Sequence, residues 1–180
     1  MFPQLSTPLN ITLTVIIAIV ALWLLAFLIA ELFILFFKSA LRRHSKSMTV
    51  LLNAKYENLQ KVYELFKEYN VEVDPKLVET LNKIDVKTFE KQDSKEAEEA
   101  RNLLAYLRDE ANYIANRNKD LLEKPDFAIA RNNVLELDIQ YRNNIALYNA
   151  DILGYNYWIA FLPVRFIFKI FKAKKKDIIG

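Results

Sequence analysis

The chain has 180 residues, 53% of them hydrophobic and 26% charged, so apolar and solvated stretches have to be segregated along it. A net charge of +3 is too small to define a partner by itself. With no cysteine and one histidine, disulfides, thiol catalysis and cysteine-based metal sites are excluded.

The segregation begins at once. Residues 11–37, ITLTVIIAIVALWLLAFLIAELFILFF, carry a single charge, Glu31. A hydrocarbon core about 30 Å thick takes about 20 such residues in a helix, so the run is long enough to span it and reach the interface. Residues 1–10 hold no Lys or Arg and no small-residue cleavage site follows, which favours a retained transmembrane anchor over a cleaved signal peptide. Lys38, Arg42, Arg43 and Lys46 come directly after the run. The positive-inside rule then puts residues 1–10 outside the cell and everything beyond the basic juxtamembrane segment, 38–46, in the cytoplasm. Abundant Lys, Asn, Ile, Tyr and Phe fits an AT-rich bacterial genome, hence a bacterial cytoplasmic membrane. His44 reads as a solvated juxtamembrane residue and Glu31 as a boundary carboxylate within reach of water or Lys38. Ala26 and Ala30 form a small-xxx-small pair that would support self-association of the anchor.

Residues 47–162 read as helices throughout. Leu52, Leu59 and Phe66 repeat every seven residues between 46 and 70, with Tyr56 and Tyr63 beside them, giving one apolar stripe. In VEVDPKLVETLNKI, Asp74 is the expected N-cap and Pro75 the first helical residue; Leu77, Val78, Leu81 and Ile84 follow at helical spacing. Asp93 and Glu96 have the spacing of a capping box. A long amphipathic helix over 94–122 follows, marked by Ala97, Ala100, Leu103, Leu104, Leu107, Ala111, Ile114 and Leu121. Lys124-Pro125-Asp126 ends it, with Asp126 the expected cap of the last helix, 126–162. There Tyr141, Tyr148, Tyr155 and Leu162 form one seven-residue row and Ile145, Ile152 and Ile159 another. Two such rows make the seam of an antiparallel bundle. The fold class expected is all-α: a transmembrane helix, then an antiparallel bundle of three to four long helices. The tyrosines are read as core, with Asn149 and Asn156 available to their hydroxyls. Gly154, mid-helix at a cost of about 1 kcal/mol relative to Ala, implies close approach of another helix.

The stretch YNADILGYNYWIAFLP resembles the C-terminal signature of the LemA family: Tyr148-Asn149, Tyr155-Asn156 and Leu162-Pro163 occupy its YN, YN and bulky-residue-Pro positions. PKLVETL, with Pro75, Leu77, Val78 and Glu79, is similar to the family's P-x-L-V-E-T-V, and KPDFAIARNNVLELD to its P-D followed by an Asn-apolar-Leu segment. The chain departs from the family in lacking the basic pair before the P-x-L-V-E-T stretch, and its link from the P-D turn to the YN pairs is shorter, so it resembles a divergent member. The resemblance implies a membrane-anchored helical bundle with no established catalysis; one branch of the family is associated with internal membranes in magnetotactic bacteria.

Beyond Pro163, Arg165, Lys169, Lys172 and Lys176 share one helical face, while Val164, Phe168 and Phe171 gather opposite with Ile167 alongside. Residues 163–180 therefore read as a basic amphipathic tail lying in a membrane interface, with Tyr157 and Trp158 at headgroup level. Anionic lipid is the preferred surface. The alternative is that the phenylalanines cap the bundle core and the lysines form a solvated end. A nucleic-acid partner would need a broader basic surface than this one. Helix parity leaves two placements for the tail: far from the anchor with three long legs, or back at it if residues 75–88 form a fourth.

No catalytic, cofactor-binding or metal-ligating constellation is present in the sequence: there is no glycine-rich loop and no His/carboxylate pair, and Glu96, Glu98 and Glu99 suit a helix N-terminus. A non-enzymatic role is expected, with two classes open. One is a self-assembling homo-oligomeric scaffold that organises, shapes or tethers membrane. The other is an adaptor whose bundle holds a specific partner protein at the membrane.

Overall fold

A computed structural model describes residues 7–92, 94–161 and 174–179, with side chains from residue 10 onward. The described residues are mostly helical, with no strand among them: α1 is Thr7–Glu68, α2 Pro75–Asn82, then a 3-10 segment Val86–Glu90, α3 Lys95–Arg117, α4 Lys119–Leu122 and α5 Pro125–Ala160. Two compact units emerge. The first comprises Met1–Leu41, Asn149–Ile178 and Gly180; the second comprises Arg42–Tyr148 with Ile179.

Residues 38–46, the expected basic juxtamembrane segment, are helical and part of α1. The segment contains neither Gly nor Pro, so nothing in it breaks the hydrogen-bond ladder. α1 ends where Asn70 adopts φ 53°. Val71 N–H bonds Phe66 O at 2.8 Å and Asn70 N–H bonds Lys67 O at 3.2 Å, the paired bonds of a Schellman cap with Asn in the left-handed position.

In the second unit, Leu52, Leu59 and Phe66 are buried as their row requires, as is Tyr63, whose hydroxyl donates to Leu107 O at 2.9 Å. The α1–α5 pairs run in opposite senses: Ser47 with Asn144, Asn58 with Asn133 and Tyr69 with Asp126. Asp74 caps α2 by accepting from Lys76 N–H at 2.9 Å, with Pro75 at the first position. The helix then stops at Asn82, short of Ile84. Asp85 caps the 3-10 segment through Lys87 N–H, which seats Phe89 in the core, fully buried. Thr49 Oγ1 bonds Phe89 O at 2.9 Å, so the 70–90 stretch carries the chain back along α1 and α3 departs from there. Buried Gln92 reinforces the corner by donating to Phe89 O, while Arg101 donates to Gln92 O at 3.0 Å.

Three expected helix boundaries move. Ser94 caps α3, its side chain accepting from Ala97 N–H at 3.1 Å; Asp93 lies outside the described residues. The helix expected over 94–122 is interrupted at Asn118, whose amide turns back on Ile114 O at 2.8 Å and competes with the backbone ladder. Pro125 starts α5, which places Asp126 inside the first turn and not at the cap. There its carboxylate accepts from Tyr69 Oη at 2.8 Å and from Phe127 N–H at 2.8 Å.

In the first unit, the helix from residue 10 to 25 exposes apolar side chains on all sides, and by length and composition α1 is long and apolar enough to cross a membrane. Nearer its end one face is covered: Ala30 is 0% exposed and Ile34 is buried. The face of the Ala26–Ala30 pair is therefore used within the chain and is not free for self-association at Ala30. The last turns of α5 pack here, with the Phe37 ring in the space a Gly154 side chain would fill. This is the close approach that the glycine implies.

Candidate functional site

The expected site residues separate into three groups. On α2, Leu77 is buried, Val78 and Glu79 are exposed, and Glu79 accepts from Lys83 at 2.6 Å; Pro75 is the helix start. The family-like segment is thus a capped amphipathic turn that anchors α2 through Leu77 and Leu81.

The Tyr-Asn pairs form the second group. Tyr148 and Tyr155 are buried, as are Ile152 and Ile159, while Ile145 is half-buried. Tyr148 belongs to the second unit; Asn149, Tyr155 and Asn156 belong to the first. Asn156 does not serve a tyrosine. Its Nδ2 donates to Lys176 O at 2.8 Å and its Oδ1 accepts from Lys176 N–H at 2.9 Å. One amide side chain thereby satisfies both main-chain groups of a residue in the tail.

The third group is the membrane-interface set. Arg165, Phe168, Lys169, Phe171 and Lys172, and also Pro163, lie outside the described residues. Lys176 is half-exposed beside exposed Lys174 and Lys175. Trp158 stacks flat on Phe33 of α1, with centroids 4.5 Å apart and planes 5° from parallel, and Phe161 meets its edge.

His44 is not simply solvated. Its Nδ1 lies 2.9 Å from Asn144 Oδ1, an acceptor, so this pairing puts the proton on Nδ1; Asn144 Nδ2 in turn donates to Ser47 Oγ at 2.7 Å. Glu31 is half-buried.

The most developed polar site was not anticipated. Asp138 of α5 is buried and accepts from three helices' worth of cations: Lys55 Nζ of α1 at 2.5 Å on one oxygen, Arg108 of α3 at 2.6 Å and Arg142 of α5 at 3.0 Å on the other. Lys55 is only 3% exposed. Burial raises the cost of charge on Asp138, but the Lys55 hydrogen bond and the charges of Lys55, Arg108 and Arg142 outweigh it and hold the carboxyl below its ordinary range. Arg108 also forks onto Asp109 at 2.7 and 2.9 Å. A carboxylate bridging α1, α3 and α5 fixes their register, because sliding any helix by a turn would leave a buried charge without its counterion. The sequence contains a signal for it: Lys55 falls on the Leu52–Leu59 face, Arg108 between Leu104 and Ala111, and Asp138 between Val134 and Tyr141. Each is a charge on an apolar stripe.

A shallow groove of about 610 Å³ lies between the 3-10 segment and α3, lined by Ile84, Asp85, Glu99, Leu103 and Tyr106 among others. Among the described residues, no group of three or more His, Asp and Glu side chains is placed to share a metal ion. Comparison with protein-family models, curated proteins and solved structures finds no match to this chain, so the likeness to the LemA family rests on its quoted motifs.

Proposed function

We propose that this chain is a LemA-like, membrane-anchored helical scaffold of a bacterial cytoplasmic membrane, single-pass with its N-terminus outside, that self-assembles and organises, shapes or tethers membrane. In this reading the helices of the second unit form an antiparallel bundle, α2 and the 3-10 segment supplying its return leg, and the basic tail rests on anionic lipid. The task is structural, with no cofactor and no nucleic acid.

The observation that carries the proposal is the apolar surface left over after each unit has buried its own core. On the anchor helix, Ile11, Leu22, Leu28 and Leu32 stay more than half exposed and require lipid around them. On α5, Val134, Tyr141 and Tyr148 face the core, yet Ile139 and Leu147 remain exposed with Asn143 between them at four-residue intervals. Exposed apolar side chains on either side of an amide, on a charged, register-locked helical unit, favour a protein contact, and a second copy presents the same face.

The test is the size of the assembly. Full-length protein extracted gently and viewed by electron microscopy should give large, membrane-bearing particles, and the double substitution Ile139→Asp, Leu147→Asp should reduce them to small ones. Single chains in small micelles from both proteins would overturn self-assembly and favour the adaptor, with the same face holding a different protein.

A further inference from the structure

We propose that the last turns of α5, residues 152–160, lie among lipid acyl chains beside the anchor helix, so that the membrane-embedded part of this protein is two helices thick on one leaflet. The proposal rests on the anchor reading of α1. It goes beyond an interfacial tail, because it places a piece of the bundle's own helix below the headgroups.

Four observations within the first unit converge. Trp158 stacks on Phe33 and Gly154 accommodates Phe37, and both phenylalanines belong to the apolar run 11–37. Whatever surrounds that end of α1 therefore surrounds α5 as well. Next, above the stack the charges begin at matching heights, while Glu31 lies about 3 Å below it on α1, half-buried at the boundary. Counting along each helix from the Phe33–Trp158 stack at about 1.5 Å per residue, Lys38 is about 7 Å above it on α1 and Asp151 about 10 Å above it on α5. Neither helix carries a charge between those residues and the stack. Third, the outward side chains are those of a lipid-facing surface: Leu153 is 64% exposed and Tyr157 62%, and Leu32, Phe33 and Phe36 are exposed on α1.

Finally, the strongest polar group in 152–160 is neutralised internally. Asn156 is the one amide side chain there, and both of its ends are bonded to the Lys176 backbone. A polar side chain entering hydrocarbon has to be satisfied by protein, since no water is there to do it. The same clamp ties Lys176, beside exposed Lys174 and Lys175, to the residue two before Trp158, and long lysine side chains leaving that point can reach phosphate. Acyl chains are thus the occupant that fits the α5 face, with anionic headgroups directly above.

The chain has two tryptophans, Trp23 in the anchor and Trp158 on α5, so each can be read alone. The Trp23→Phe and Trp158→Phe proteins, full length and checked for unchanged helicity by circular dichroism, are reconstituted in phosphatidylcholine–phosphatidylglycerol vesicles. Lipids brominated near the glycerol or near the methyl end report depth, and iodide reports contact with water. The expected result is loss of Trp158 emission with glycerol-end bromine and little loss with iodide. If Trp23 is quenched by brominated lipid while Trp158 responds only to iodide, α5 ends in water and the proposal is wrong although the anchor stands. If Trp158 is shielded from both quenchers, protein covers it and the proposal is equally wrong. If Trp23 itself escapes brominated lipid, the anchor reading fails first.

Discussion

Lys55 and Asp138 meet at 2.5 Å in a place where both are buried, one on α1 and the other on α5. Neither could occupy the core alone. Their pairing turns two unfavourable burials into a lock on helix register, and Arg108 extends that lock to α3.

Removing the shared acceptor should therefore cost more than removing one donor. Asp138→Ala leaves Lys55 buried and unpaired and is expected to destabilise the protein by about 3–5 kcal/mol. Lys55→Met fills similar space and leaves Asp138 its two arginines, so its loss should be clearly smaller. Urea unfolding of the two variants side by side measures the difference; equal losses would remove the register argument.

Acid should act through the same carboxylate. The folded-state value of Asp138 is depressed, so its stabilising contribution is complete above the ordinary aspartate range and is lost as pH falls through the folded value. Stability of the wild type is expected to fall from about pH 5 towards pH 2. Asp138→Asn should start lower at neutral pH and lose less over that interval. Parallel curves for the two proteins would assign acid sensitivity to other groups.

Tyr148 tests the seam. It is 3% exposed, and Tyr148→Ala is expected to destabilise by about 3–5 kcal/mol, as large aromatic truncations do. A change inside about 0.5 kcal/mol, the range of surface substitutions, would place the ring outside the core.

Gly154 makes a two-step prediction. Alanine gains about 1 kcal/mol of helix propensity but collides with the Phe37 ring, and overpacking costs about 1–3 kcal/mol. Gly154→Ala should therefore lower the midpoint of thermal unfolding in detergent. Adding Phe37→Leu should recover part of the loss, beyond what Phe37→Leu does by itself.

What was legible in the sequence follows from periodicity. Seven-residue rows place Leu52, Leu59, Phe66, Tyr141, Tyr148 and Tyr155 inside without any knowledge of partners, because a helix face is a local property. The Asp74–Pro75 start is equally local. Failures arise where two segments compete or meet. Ser94 takes the cap expected of Asp93, one residue away, and Asn118 breaks a helix by bonding its own backbone. His44 finds Asn144, and Asn156 finds Lys176, across distances that no window spans. The buried network lay half in view: charges on apolar stripes were visible, while which charge faced which depended on the register they themselves set.

The bond between Asn156 and Lys176 has one more implication. Both groups held in the tail belong to the main chain, so these two bonds do not depend on which side chain residue 176 carries. Proline at 176, lacking the N–H, would undo one of the two. The point of attachment is thus written into Asn156 and the backbone, and a change of charge at 176 leaves both of these bonds available.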